Sequence, residues 1–191
     1  LPILKKFLPA FFVYSTALQT VILIATYFGE EEIVWASSEQ KTIGLIVSIM
    51  LIQIVGIFGA YTTAAASKIF GNISTLVVVN SIWAVLCIFA FFIRTPLEFY
   101  IAAGGVGMVM GGIQALSRST YSKLIPETSD TTSFFSFYDV TEKVGIIIGM
   151  SMFGTIDQIT GSMRNAILFF VILFISGALL LSRIPNNRKG K

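Results

Sequence analysis

The sequence predicts an all-α integral membrane protein with six transmembrane helices, and three observations carry that prediction. Of its 191 residues, 55% are hydrophobic and 12% charged, against about 25% charged in a soluble domain; the mean hydropathy is +0.85. Apolar runs recur that reach roughly the 20 residues an α-helix needs to cross a hydrocarbon core of about 30 Å. None of them alternates residue by residue as an outer-membrane strand does, so the backbone polar groups have to be satisfied within helices.

Composition also excludes function classes. Histidine is absent, and Cys87, the single cysteine, is set inside an apolar run. That removes most metal sites, nearly all triad chemistry and any internal disulfide; no phosphate-binding glycine loop is present either. The expectation is a protein that is not an enzyme, with no catalytic residue, metal or cofactor. A net charge of +3 is too small to argue for nucleic acid as a partner. The opening stretch, Leu1 to Phe7, lacks the small-residue cleavage site of a signal peptide and reads as a loop entered from upstream sequence, in the second half of a longer protein.

The first span is expected over residues 7–28, with Gln19 as its one strongly polar residue. It ends in an acidic loop that starts at Glu30, Glu31 and Glu32 and runs to Glu39. The second span, 42–66, contains Gln53 and the small residues Gly56, Gly59, Ala60 and Ala64, which let backbones approach closely where lipid supplies no hydrophobic drive. The turn from Ser67 to Asn72 is too short to join anything but antiparallel neighbours. The third span, 73–93, is apolar apart from Asn80 and breaks at Arg94, Thr95 and Pro96.

Pro96 and Glu98 suit a helix N-terminus, and the fourth span follows over 99–121. It is glycine-rich, with a GxxxG pair at Gly107 and Gly111 that signals close packing, and turns polar through Gln114, Ser117, Arg118 and Ser119. After a loop around Pro126 and Asp130, the fifth span, 134–156, enters through Phe134, Phe135, Phe137 and Tyr138, an aromatic belt at a membrane surface. It carries Asp139, Glu142 and Lys143. A short loop follows, in which Ser162 is placed to cap the next helix. The sixth span, 165–182, is wholly apolar and leads to a basic tail with Arg183, Arg188, Lys189 and Lys191. Trp35 reads as an interface anchor and Trp83 as a packing residue.

Cytoplasmic loops retain Lys and Arg, and six spans put both termini on one side. That side holds Lys5, Lys6, Lys68, Arg118, Lys123, Arg183, Arg188, Lys189 and Lys191, the other only Lys41, Arg94 and Arg164. Both termini are therefore expected to be cytoplasmic.

The runs GGIQALSRSTYSKLIPE (Gly111 to Glu127), FFSFYDVTEKVG (Phe134 to Gly145) and FGTIDQITGSMRNAI (Phe153 to Ile167) resemble the vacuole-effluxer-like branch of the major facilitator superfamily. That branch is named for a fungal vacuolar exporter of amino acids linked to autophagy and includes many bacterial permeases. The match is detailed over the last half of the sequence and extends to the first half only as a pattern of spans. Of the superfamily's basic-and-glycine loop motif, only Lys68 and Gly71 remain in the turn after the second span.

The resemblance implies half of a twelve-helix bundle built from 3+3 inverted repeats, whose partner is a missing N-terminal six-helix half. It implies alternating access around a central cavity that takes a small-molecule solute, amino acids or related metabolites, in the direction of efflux. It further implies coupling to protons or to the solute gradient, in the plasma (inner) membrane or alternatively the vacuolar membrane. Within such a half the first, second, fourth and fifth spans border the cavity and the third and sixth stay outside.

Ionisable groups in a segment built for lipid face a partner, a protein interior or water, which singles out the stretch from Leu97 to Gly161. Asp139 and Lys143 stand four apart, in the acid-before-base order that favours a pair. Counting about 1.5 Å per residue from Phe134 puts Lys143 roughly 14 Å deep, near the bilayer middle. In the functional reading Lys143 holds a substrate carboxylate or takes part in proton coupling, with Asp139 or Glu142 as its counter-charge. In the structural reading the pair holds the fifth helix against the other half at a cytoplasmic gate. Glu142 lies about 100° round the helix from Lys143, so the three do not all face one cavity.

Gln19, Gln53 and Gln114 offer amide donors and acceptors to an amino-acid-like solute, or each bonds a neighbouring helix for roughly 1 kcal/mol. Arg118 reads as a gating residue, a cap of the fourth helix or ordinary inside charge; Gly107 and Gly111 read as packing sites or as a place to bend. The alternative to a permease is a non-transporting membrane scaffold or receptor subunit, which would have no water-accessible cavity.

Overall fold

The computed structural model describes residues 2–127 and 130–185, so Arg188, Lys189 and Lys191 of the basic tail lie outside the described residues. Six helices follow one another: α1 (Pro2–Glu31), α2 (Ser38–Phe70), α3 (Asn72–Phe92), α4 (Pro96–Leu124), α5 (Thr131–Thr160) and α6 (Met163–Ser182). α1, α2, α4 and α5 run several residues past the apolar segments, and capping residues set the starts of α2, α4 and α5. Ser37 caps α2 by accepting from the Gln40 N–H. Thr95 and Glu98 form a reciprocal capping box at the head of α4, with Pro96 in the first turn, satisfying amides that have no helical partner. Asp130 caps α5, and hydrogen bonds from Ser133, its side chain first and its backbone second, hold the Asp130 carboxyl below the usual carboxylate range. Ser162 stands at the head of α6 but makes no capping bond through its hydroxyl.

Gly71 (φ 87°) and Gly161 (φ 63°) supply the left-handed backbone at the two tightest turns, α2–α3 and α5–α6, where a side chain would be strained. The helices alternate in direction. One end of the bundle gathers the start of α1, the α2–α3 turn and the α4–α5 loop. The other gathers the α1–α2 loop, the α3–α4 break and the start of α6.

Five of the six helices are long and apolar enough to cross a membrane; α5 is the exception. Asp139, Glu142, Lys143 and Asp157 lower its hydropathy, yet its two ends sit at opposite ends of the bundle. Its entry is bonded to α4 through the Tyr121 hydroxyl on the Phe134 carbonyl (2.7 Å). Its exit leads directly into α6, whose Arg164 is bonded to the end of α3 and the α1–α2 loop.

The helices pair as α2 on α4, α1 on α5 and α6, and α3 on α6 and α4. Two of these seams are backbone-close and built from glycine. Gly59 of α2 lies so near Met108 that a methyl group added there would collide with the Met108 carbonyl; Gly107 meets Ile52, and Gly112 meets Thr63. On α5, Gly145 and Gly149 lie against Thr16 and Thr20 of α1 in the same manner. Between α3 and α6 the seam is aromatic, with Trp83 fully buried and stacked on Phe174 at 5.6 Å.

Gly59→Ala is expected to destabilise the bundle by about 1–3 kcal/mol, the usual range for overpacking against backbone that cannot yield. Gly104→Ala, where nothing stands within 4 Å, is expected to change the thermal unfolding midpoint in detergent little or not at all. Equal melting of the two variants would contradict this seam.

Candidate functional site

A group of polar residues buried or half-buried within the helices lies where α1, α4 and α5 meet. Tyr14 on α1 is 0% exposed, and its hydroxyl lies 2.7 Å from Ser117 Oγ on α4. Ser117 Oγ gives its own proton to the Ile113 carbonyl at 2.6 Å, so Tyr14 is the donor of the pair, because a serine hydroxyl has one hydrogen to give. One turn further along α1, Gln19 donates its amide Nε2–H to Glu142 Oε1 on α5. The Thr16–Gly145 and Thr20–Gly149 approaches hold α1 and α5 side by side at this level. Both Gln19 and Glu142 are half-buried.

Toward the Pro2 end, Arg118 on α4 reaches Asp139 on α5 at 3.1 Å. The guanidinium lies 5.8 Å from the ring centres of both Phe135 and Tyr138. Tyr138 in turn stacks on Phe11 at 4.2 Å and packs on Tyr121, joining α1, α4 and α5 through aromatic faces. The ion pair is solvent-exposed on both sides, which limits it to about 0–1 kcal/mol.

This arrangement corrects the expected pairing of Asp139 with Lys143. Asp139 belongs to Arg118, and Glu142 to Gln19. Lys143 is exposed and has no hydrogen bond or ion pair among the described residues. A helical i,i+4 pair is worth only about 0.2–0.5 kcal/mol, too little to outweigh a guanidinium held between two rings. The three ionisable groups clustered in the first half of α5 thus point three ways: Asp139 to α4, Glu142 to α1 and Lys143 to open space.

Gln53 on α2 is exposed and Gln114 on α4 half-buried; neither makes a side-chain hydrogen bond among the described residues. Gly107 and Gly111 both face α2, where Gly111 opposes Gly56 and Ala60. A shallow depression at the far end, lined by Glu30, Trp35, Ser38 and Lys41, contains none of the candidate residues.

Sequence reasoning missed Arg164. It opens α6, 8% exposed, with its Nε 2.6 Å from Glu32. It donates to the carbonyls of Phe91 (2.9 Å), Ile93 (2.5 Å) and Glu32 (2.8 Å) and lies over the Phe28 ring. One guanidinium thereby closes the carbonyl end of α3 and fastens it to the α1–α2 loop. A signal existed in the sequence: a cation in the first turn of a helix opposes the dipole, so it needs acceptors from elsewhere.

Comparison with known proteins places this geometry in context. Residues 1–191 match the family model described as "Vacuole effluxer Atg22 like". A Bacillus subtilis (strain 168) protein named as an uncharacterized MFS-type transporter, YxiO, is 31% identical over 181 residues, covering 95% of this chain and 41% of that protein. Autophagy-related protein 22 of Yarrowia lipolytica is 30% identical over 194 residues, 96% of this chain and 32% of the relative. Its Saccharomyces cerevisiae (strain S288c) counterpart is 27% identical over 193 residues, 95% of this chain and 35% of the relative. The chain therefore spans less than half the length of these relatives.

Proposed function

Because the chain belongs to the vacuole effluxer Atg22-like family, we propose that it forms the C-terminal six-helix half of a transporter that moves a small polar solute by alternating access. The observation that carries this reading is the half-buried Gln19–Glu142 pair on a wall whose next ionisable residue, Lys143, is left exposed. A cation facing acyl chains costs about 2.5–3.5 kcal/mol at the bilayer centre even on permissive scales; facing a wet cavity between two halves, it costs far less. Pairing of the helices supports a 3+3 inverted repeat. Exchanging α1–α3 with α4–α6 carries the α2–α4 seam onto the α5–α1 seam, and both are glycine-built.

The solute is an amino acid or related metabolite and the direction is efflux, from the plasma (inner) membrane or a vacuolar one. Both termini are cytoplasmic, and the N-terminal half completes the cavity. Lys143 meets the solute carboxylate, Gln19 and Glu142 line the wall, Gln53 and Gln114 border it, and Arg118 with Asp139 closes the cytoplasmic end. The deciding experiment is flux of a labelled amino-acid mixture in proteoliposomes of the full-length protein, with and without a pH gradient. Flux above protein-free vesicles is expected. None with any amino acid, in either orientation of the gradient, refutes the reading.

Water access separates a permease from a scaffold. Lys143→Cys in the full-length protein is expected to react with a membrane-impermeant maleimide, whereas Cys87, 2% exposed on α3, stays unlabelled. Lack of reaction at position 143 would favour the scaffold.

A further inference from the structure

We propose that Gln19 and Glu142 form a proton-operated amide switch that sets which group the α1–α5 wall offers to a zwitterionic solute. The proposal rests on the transport reading above and adds the means by which proton and solute are linked. An ionised carboxylate only accepts hydrogen bonds, whereas a glutamine amide presents an acceptor on one side and two donors on the other. With Glu142 ionised, Gln19 has to turn Nε2 toward it, the arrangement observed. Oε1 then faces away from α5 and is available to a solute ammonium.

The chemistry of protonation reverses this. A hydronium ion reaching the half-buried carboxylate gives a proton to one Glu142 oxygen and leaves as water. The new O–H donates to Gln19 Oε1 once the amide has turned by half a revolution about its last side-chain bond. Nε2 and its two hydrogens now face outward and suit a solute carboxylate. No heavy-atom bond is made or broken, and the link between α1 and α5 survives in both states. Return of the proton to water restores the first orientation.

The surroundings leave this exchange unobstructed. From α1, the Tyr14 hydroxyl donates its hydrogen bond to Ser117. On α5, Tyr138 is stacked on Phe11, Asp139 is taken by Arg118 of α4, and Lys143 points away. Tyr121 of α4 donates to the Phe134 carbonyl. The charged described residues of the α6 segment, Arg164 and Arg183, stand at its two ends. Gln19 is thus the one hydrogen-bond partner of Glu142 among the described residues, and the Thr16–Gly145 and Thr20–Gly149 approaches keep the pair in reach as its proton comes and goes.

Infrared difference spectra of the full-length protein in lipid, acid buffer minus alkaline and without solute, test the switch. Acidification is expected to bring up a carboxylic-acid C=O stretch together with a shift of a glutamine amide carbonyl band. Glu142→Gln should lose the first, and Gln19→Leu should lose the second while displacing the first. The exchanged variant Gln19→Glu with Glu142→Gln keeps the pair and should regain the acid band. An acid band unchanged in Glu142→Gln, or a glutamine band that does not respond to pH, overturns the switch. Because no solute is present, an absence of flux in the proteoliposome screen refutes transport without touching this result. Flux accompanied by a silent Glu142 refutes the switch alone.

Discussion

Arg164→Leu is expected to destabilise the bundle by about 3–5 kcal/mol, the range seen when one partner of a buried ion pair is removed. Leucine fills the aliphatic volume but leaves the Glu32 carboxylate without its cation and the Phe91, Ile93 and Glu32 carbonyls without donors. Two of those carbonyls end α3, so the loss strikes groups that no other helix turn satisfies. Arg164→Lys separates charge from geometry: an ammonium keeps the positive charge, but its short reach and lack of a planar fork cannot serve acceptors on two segments at once. It should recover less than half of the loss. Glu32→Gln, which keeps a polar acceptor for Arg164, should cost less than either. Thermal or denaturant unfolding of the full-length protein in one detergent orders the three, and a wild-type midpoint for Arg164→Leu would refute the assignment.

Lys143→Ala is expected to do the reverse, leaving stability unchanged and removing transport. Nothing described is bonded to the Lys143 ammonium, so its removal strands no partner within this half. On the proposed function, a solute carboxylate that loses its charged hydrogen-bond partner in a wet cavity loses about 1.5–3 kcal/mol, which is more than tenfold in affinity. Flux in proteoliposomes should fall accordingly, while the unfolding midpoint stays within error of wild type. Lys143→Arg, which keeps the charge, should retain part of the activity. Wild-type flux in Lys143→Ala would exclude this residue from the solute path, and a lowered midpoint would assign it to packing.

Six helices are legible in the sequence, five of them because lipid imposes a length and a composition on each. The apolar α3 and α6, the break at Pro96 and the close packing of Gly107 and Gly111 all follow from local chemistry. The sequence also separated Glu142 from Lys143, since 100° per residue is a property of the helix alone. Beyond that it could not go. Helical spacing states which residues share a face and is silent on which neighbour the face meets. Asp139 therefore drew the nearest cation in sequence, Lys143, when Arg118, 21 residues away, was its partner. Tyr14 and Ser117 are 103 residues apart and carry no mutual signature. Arg164 reads in the sequence as one more basic residue of an outer loop, yet its acceptors are mostly backbone carbonyls, which leave no trace in residue identity.

The Arg164 cluster bears on how the molecule moves. It fastens α1, α3 and α6 at one extremity through a buried guanidinium, whereas the opposite extremity is joined by an exposed ion pair, aromatic stacking and the single hydrogen bonds Tyr121–Phe134 and Asn72–Thr120. A rod secured at its base swings widest at its tip: a tilt of about 5° along a helix roughly 45 Å long carries the free end through about 4 Å. That displacement exceeds the diameter of a water molecule. The guanidinium therefore limits motion at its own extremity, and the larger displacement falls at the other, where Arg118 and Asp139 stand.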